Sequence, residues 1–261
     1  MTNIYVKYGE YYDLIYKDKN YEQECLDIEE YFRRYSKREI KDLLDIACGT
    51  GGHSLIFARK GYNVVGIDLS PIMIEKAKRK AMEMGLNNVK FLVQDMRKLN
   101  LNIKFDATIC LFGSFGYLTS DNEVLSTLRN IRMHLNDDAL FIFDFWPPYS
   151  IALSPIRTSI RKIVSDDITI LRLIKTDFSV INNVCKFEIE CYVIKNDKLI
   201  DHFTEDHVLR TFTINELKHF LFESNFKPIE FFNVNWGGDK IYTFDMVNEK
   251  STNAVCIAIA I

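Results

Sequence analysis

The sequence predicts an α/β protein: a doubly wound, mostly parallel sheet with an antiparallel β-sheet inserted late in the chain. Three observations predict it. Short apolar runs alternate with amphipathic helical patterns from Asp42 to Phe145. Those runs are continuously apolar, as parallel strands covered by helices on both faces are. From about Thr158 to Phe212 the pattern changes to period-2 alternation broken by polar connectors, the mark of antiparallel strands with one wet face. Because parallel crossovers are right-handed, a doubly wound topology accommodates the first part most simply.

In chain order, residues 1–20 are rich in tyrosine and read as irregular. Residues 21–36, YEQECLDIEEYFRRYS, space Cys25, Ile28, Tyr31, Phe32 and Tyr35 as one face of a helix. Strand Asp42–Ala47 leads to a helix over His53–Arg59. Strand Tyr62–Ile67 leads to a second, with Ser70 as N-cap, Pro71 in the first turn and an end near Met84. Strands follow at Asn88–Val93 and Phe105–Leu111, then a helix at Glu123–Leu135 and a fifth strand at Ala139–Phe145. The alternating runs SIRKIVS, ITILRLIKTDFSV, VCKFEIECYVIKN and LIDHFTEDHVLRTF turn at Asp166-Asp167, Asn182-Asn183 and Asn196-Asp197. Thr213 and Glu216 are spaced as a capping box that opens a helix to Ser224, with Leu217, Phe220 and Leu221 inward. Strands near Pro228–Asn233 and Asn253–Ile261 close the chain.

A chain of 261 residues buries a sizeable core without disulfides or metal. Its 33 basic and 36 acidic residues give a net charge of −3, so no global positive field draws it to nucleic acid or anionic lipid. The six cysteines lack a Cys-x-x-Cys pair, and several sit in apolar runs, which predicts reduced, buried thiols. No basic-then-apolar leader opens the sequence, and no apolar run approaches the ~20 residues of a membrane helix. The expectation is a cytoplasmic protein acting on a small molecule, without nucleic acid or membrane, with a homodimer left open. No His/Cys/Asp spacing predicts a metal site, and no phosphate-binding Gly-x-x-x-x-Gly-Lys loop is present.

The strongest local signal is DLLDIACGTGGH, residues 42–53: a buried strand, a glycine turn and a helix start. Glycines there let a ligand approach the main chain, and the helix N-terminus offers free N–H groups. Asp68 ends the next strand, 17 residues after Gly51, where a carboxylate can accept both ribose hydroxyls of a nucleotide. Gln94-Asp95-Met96 ends the third, where a carboxylate and a backbone N–H can read an adenine edge. The position of a dinucleotide fingerprint's third glycine is Ser54, and the loop has no Lys or Arg for a pyrophosphate. Asp45, just before the loop, suits a cationic amino-acid nucleotide better.

LLDIACGTGG, VVGIDLSPIMIEKAK, FLVQDMRKL and FDATICLFGSFGYL, in this order, resemble the class I S-adenosylmethionine-dependent methyltransferases from Asp42 to about Trp146. The resemblance implies a seven-stranded Rossmann-like sheet and S-adenosylmethionine as cofactor. It places Gly49–Gly51 on the methionine part, Asp68 on the ribose, and Asp95 with the backbone of Met96 on the adenine. Leu69 and Met73 become apolar walls, and Tyr21, Ala47, Gln94, Leu111 and Phe112 further cofactor contacts. Tyr12-Asp13, Tyr21-Glu22 and the inserted sheet are similar to the small-molecule N-methyltransferases of aminosugars and glycine. That likeness implies an N-terminal cover whose Tyr12 approaches the sulfonium. Residues 1–157 and 213–261 would form the cofactor domain, with 1–36 as its cover. The insertion, 158–212, would form part of the substrate site.

The expected function is methyl transfer to a small-molecule acceptor, an amine nitrogen, with Tyr12 and Tyr117 as catalytic residues. Alternatives are a tRNA or protein methyltransferase, a non-catalytic S-adenosylmethionine-binding module, and a nicotinamide-dependent oxidoreductase. Two departures stand out. Tyr117 occupies the loop after the fourth strand, where the sugar N-methyltransferases carry a histidine. Asn136-Asp137-Asp138 replaces the usual glycine-rich turn before the fifth strand. Among the histidines, His53 reads as a first-turn helix residue and His134 and His219 as surface residues. His202 and His207, with Glu205 and Asp206, read either as a solvated strand or as groups at the substrate mouth. Trp236-Gly237-Gly238 marks a late loop beside the pocket.

Overall fold

The computed structural model describes residues 5–153 and 157–261. In chain order it begins α1 (Lys7–Ile15), α2 (Tyr21–Tyr35), β1 (Asp42–Ile46), α3 (Gly52–Arg59), β2 (Asn63–Asp68), α4 (Pro71–Glu83) and β3 (Val89–Val93). It continues through β4 (Phe105–Cys110), α5 (Asp121–Met133), β5 (Leu135–Phe145) and α6 (Pro148–Ala152). The strands β6 (Thr158–Ser165), β7 (Ile168–Ser179), β8 (Val184–Lys195) and β9 (Lys198–Arg210) follow. Last come α7 (Ile214–Glu223), β10 (Phe226–Val234), β11 (Tyr242–Met246) and β12 (Ala254–Ala260).

Two sheets result. The larger has the order β11-β10-β12-β5-β4-β1-β2-β3, and the smaller is the meander β6-β7-β8-β9. In the larger, β3, β2, β1, β4 and β5 are parallel, and β12, β10 and β11 are antiparallel. The sheet holds eight strands instead of the expected seven. The extra one, β11, is only five residues long and pairs as an edge strand with β10, too short to stand out as a periodic run. All six residues of β4, and Ala139 through Phe145 of β5, are buried. Their side chains pack on both faces, each large one contributing about 1.5–3 kcal/mol by burial.

Helix starts follow the sequence chemistry. The Ser70 hydroxyl accepts the Met73 N–H at the head of α4, and complete capping boxes open α5 (Ser120, Glu123) and α7 (Thr213, Glu216). Among the described residues of the first twenty, Lys7–Ile15 is helical rather than irregular, with Tyr8 and Ile15 on one helical face and fully buried. Tyrosines are weak helix formers, so the helix is a product of packing rather than propensity. His134 is buried rather than superficial, with Nε2 accepting the Leu101 N–H at 2.8 Å. His219 is exposed. All six cysteines are free and buried. Among the described residues no helix is long and apolar enough to cross a membrane.

Candidate active site

The tips of β1, β2, β3 and β4 open on one cavity of about 550 Å³, a volume that suits a nucleoside-sized ligand with room for a small partner. β1 ends in a sharp turn: Ala47 (φ 56°) and Gly49 (φ 55°) are left-handed, and both line the cavity. A Cβ on Gly49 would meet nothing within 4 Å, so the loop leaves space for a ligand against its main chain. Asp68, at the tip of β2, accepts the Gly49 N–H at 2.9 Å and the Ser70 N–H at 2.8 Å. Burial raises its pKa against those donors. Each carboxylate oxygen keeps a lone pair for a hydroxyl.

At β3, Asp95 lies in a bidentate pair with Arg97, which also bonds Glu123 at 2.7 Å. Burial works against ionisation of Asp95, but Arg97 outweighs it and holds the carboxyl low. At β4, Phe112 is left-handed (φ 66°). Asp144 accepts the N–H groups of Phe112 (2.7 Å) and Gly113 (2.6 Å) and the Tyr242 hydroxyl (2.8 Å). Two non-glycine residues in the left-handed region at adjacent strand tips are strain held by surrounding structure, a feature that clusters at binding sites.

Tyr5 and α1 pack along another side of the cavity, which Tyr5 and Tyr12 line. Asp13 accepts the Thr50 hydroxyl (2.5 Å) and the Lys80 ammonium (2.7 Å), which ties α1 to the glycine turn. Glu205 of β9 accepts the N–H groups of Tyr5 and Tyr8, both at 2.9 Å, which ties α1 to the smaller sheet. Tyr117 joins Tyr5 and Tyr12 there, with Lys186, Asp206 and Val208 of the smaller sheet on the same wall. Burial raises the pKa of all three phenols, so each stays a neutral hydroxyl.

Of the residues singled out in the sequence, Tyr12, Tyr21, Ala47, Gly49, Asp68, Leu69, Met73, Gln94, Asp95, Met96, Leu111, Phe112 and Tyr117 line this cavity together. Asp45 and Gly51 are not on its wall. Asp45 precedes the left-handed turn, so it remains under α3 as the acceptor of the Ser54 hydroxyl, and burial raises its pKa to about 6. Gly51 (φ 83°) turns toward the sheet, where a Cβ would stand 2.9 Å from the Phe91 ring. His53 is a first-turn residue, but it also lines the cavity and bonds the buried Glu24 at 2.7 Å. Glu24 further pairs with Lys19, whose ammonium lies 4.4 Å from the ring centres of both Tyr21 and Phe112. Trp236 stands behind Phe112, outside the lining. His202 bonds Glu190 on the exposed face of the smaller sheet, and His207 is buried. Sequence reasoning missed Tyr5, Lys19, Glu24 and Asp144. Only Asp144, at the end of a buried strand, carried a local signal.

The family model described as "Methyltransferase domain" matches residues 43–138. The chain is 29% identical to "Putative methyltransferase YqeM" of Bacillus subtilis over 86% of this chain and 87% of that one. It is 28% identical to "dTDP-3-amino-3,6-dideoxy-alpha-D-glucopyranose N,N-dimethyltransferase" of Streptomyces fradiae over 78% of each. Among solved structures, an S-adenosylmethionine-dependent methyltransferase from Clostridium acetobutylicum superposes with a TM-score of 0.82, at 22% identity over 99% of both chains. Streptomyces venezuelae DesVI gives 0.79 at 24% identity, over 97% of this chain and 98% of that one.

The donor set fits the cofactor of that family. Among the described residues, the Lys and Arg side chains on the cavity wall, Arg97 and Lys186, are each already paired with carboxylates, which disfavours a pyrophosphate there. The open glycine turn, the acidic tips and the phenol rings suit a nucleoside that carries positive charge. Over residues 43–138 the chain carries a methyltransferase domain, and its fold and cavity resemble those of the class I S-adenosylmethionine-dependent methyltransferases.

Proposed function

We propose that this enzyme methylates the nitrogen of a small-molecule amine, an aminosugar or an amino-acid-like acceptor. The observation that carries the reading is the meeting of two unlike walls on one cavity, acidic strand tips on one side and a cover of neutral phenols on the other. Relatives named for 3-aminosugar dimethylation, and others named for glycine and sarcosine N-methylation, support the acceptor class.

When bound, the cofactor supplies an activated methyl group on a sulfonium. Asp68 would hold the ribose, Asp95 and the Met96 backbone the adenine, and Ala47, Gly49, Leu111 and Phe112 the methionine part. Tyr12 presents its ring and hydroxyl to the cationic centre, since aromatic faces attract cations. Tyr117 orients the acceptor. The protein's work is to align the reactants in a dry pocket, because a neutral amine is already a competent nucleophile.

In this reading residues 1–157 and 213–261 form the cofactor unit, 1–36 its cover, and 158–212 a wall for the acceptor. Residues 1–4 and 154–156 of those spans lie outside the described residues. Buried free thiols fit a reducing compartment, the cytoplasm. The near-balanced charge favours a small acceptor over nucleic acid.

Label transfer from methyl-labelled S-adenosylmethionine to aminosugar nucleotides, glycine and simple primary amines tests the reading. Methylation of at least one amine is expected. Label appearing only in RNA or protein would overturn it.

A further inference from the structure

The phenol side of the cavity continues into a string of polar groups that leads away from it. The hydroxyls of Tyr5 and Tyr117 lie 2.9 Å apart, and that of Tyr117 lies 2.7 Å from Nδ1 of His207. His207 is 3% exposed, and its Nε2 has no hydrogen-bond partner. The Glu205 carboxylate stands 3.6 Å from that nitrogen. The titratable and charged groups around the imidazole come from each element packed on it. Tyr5 and Tyr8 of the cover have ring centres 4.9 and 6.1 Å away, and Tyr117 of the turn after β4 is 6.1 Å away. Glu205 shares its strand, and Arg172 of β7 bonds the Tyr8 hydroxyl at 2.9 Å. Opposite His207 on β8 is the apolar Phe187.

This arrangement has a direction. A carboxylate beside Nε2 favours the tautomer with its proton there, which leaves Nδ1 as the acceptor of the Tyr117 hydroxyl. Burial opposes ionisation of Glu205, but His207 and the N–H groups of Tyr8 and Tyr5 outweigh it and hold the carboxyl below its usual range. Burial pushes both phenols up. The imidazole, with Nδ1 toward the phenol and Nε2 toward the carboxylate, is the group in the string placed to receive a proton from Tyr117.

We propose that Tyr117 and His207 form a relay that takes the proton of the acceptor's ammonium group out of the cavity, with His207 as the positioning residue behind Tyr117. The proposal rests on the amine reading above. An alkylammonium, with a pKa of about 10, is protonated at neutral pH and has no lone pair with which to attack. In the relay its N–H bond breaks and the electron pair stays on nitrogen. The proton passes to the Tyr117 oxygen as the Tyr117 proton passes to Nδ1. One positive charge moves from ammonium to imidazolium, where Glu205 faces it, and no other reagent is consumed. The relay also gives the tyrosine in the β4 loop a reason to pair with a histidine that comes from the inserted sheet.

The test compares wild type, His207→Asn and Tyr117→Phe. It measures kcat against pH at saturating amine, S-adenosylhomocysteine affinity by calorimetry, and the 15N shifts of the histidine side chains in the unliganded protein. Asn keeps an acceptor near the Tyr117 hydroxyl but carries no proton. Expected are a protonated Nε2 and a bare Nδ1 on His207, and an acid limb in the wild-type kcat. Both variants should bind S-adenosylhomocysteine within twofold of wild type on the order of unchanged affinity, and lose about 100-fold in kcat. The acid limb should vanish in His207→Asn. A proton on Nδ1, or a His207→Asn enzyme with the wild-type kcat and acid limb, would overturn the relay. The spectrum of the wild type decides even where a variant fails to fold. A wild type that binds S-adenosylhomocysteine but methylates no amine would sink the amine reading and the relay together, a result distinct from the other two.

Discussion

The two walls of the cavity are built by different means. The floor, at the tips of β1 to β4, is made by backbone. Ala47, Gly49 and Phe112 are left-handed there, and Asp68 and Asp144 fix the turns by accepting main-chain N–H groups. The cover is made by side chains that join distant segments, as Glu205 does with Tyr5 across 200 residues. Their electrostatics differ as well. Burial raises Asp68 at the tip of β2 and Asp45 and Asp144 behind the floor, while at the tip of β3 burial is outweighed by Arg97, which holds Asp95 low. On the cover, burial is outweighed: His207 and two backbone N–H groups lower Glu205, and Tyr11 and Lys7 lower Asp201. The floor is fixed by main-chain hydrogen bonds, whereas the other wall is held by side-chain contacts between distant segments.

The largest expected effect breaks the comparison on its electrostatic side. Folded Asp45 keeps a proton that the unfolded chain releases, so its contribution favours folding at acid pH and is lost as pH rises through about 6. At 1.36 kcal/mol per pKa unit, Asp45→Asn should remove up to about 3 kcal/mol of pH dependence. Urea unfolding at intervals from pH 4 to 8 measures it, and a variant with the wild-type slope would refute the assignment. Glu205 has the opposite sign. Its contribution is complete above the ordinary carboxylate pKa of about 4.3 and is lost as pH falls through the lower folded value. Strong acid should therefore loosen the cover before the floor.

Asp68→Ala comes next. Loss of a charged acceptor should weaken S-adenosylhomocysteine binding by about 2 kcal/mol, roughly 30-fold, in calorimetry. Unchanged affinity would remove Asp68 from the ribose. Glu205→Gln sharpens the contrast, because Glu205 touches Tyr5, Tyr8 and His207 and is absent from the strand tips of the floor. A loss of about 1 kcal/mol from the two backbone hydrogen bonds should speed hydrogen exchange in residues 5–16. The acceptor KM should rise while S-adenosylhomocysteine affinity stays put, and an affinity that fell instead would merge the two walls into one. Tyr12→Phe should change least, within about threefold, since it keeps the ring face that attracts a cation. If Tyr12→Ala is equally silent, the ring has no part in binding.

The floor was legible because its signals are local. A glycine turn, an aspartate 17 residues after Gly51 and a third acidic strand end can be read in sequence, and Gly49, Asp68 and Asp95 do line one cavity. What sequence spacing does not convey is which way a residue faces at a sharp turn, and so Asp45 and Gly51 stand behind the wall rather than on it. The cover was largely hidden. α1 is held by burial of Tyr8 and Ile15 rather than by helix formers, and β11 is a short edge strand. His207 meets Tyr117 across 90 residues, a contact no periodicity predicts.

A crystal structure with S-adenosylhomocysteine bound tests the division of labour most directly. Ribose hydroxyls are expected on Asp68, the adenine edge at Asp95 and Met96, and the sulfur facing Tyr12, with the space beside Tyr117 left for an acceptor. An adenosyl group lodged against the smaller sheet, with Asp68 untouched, would contradict this placement.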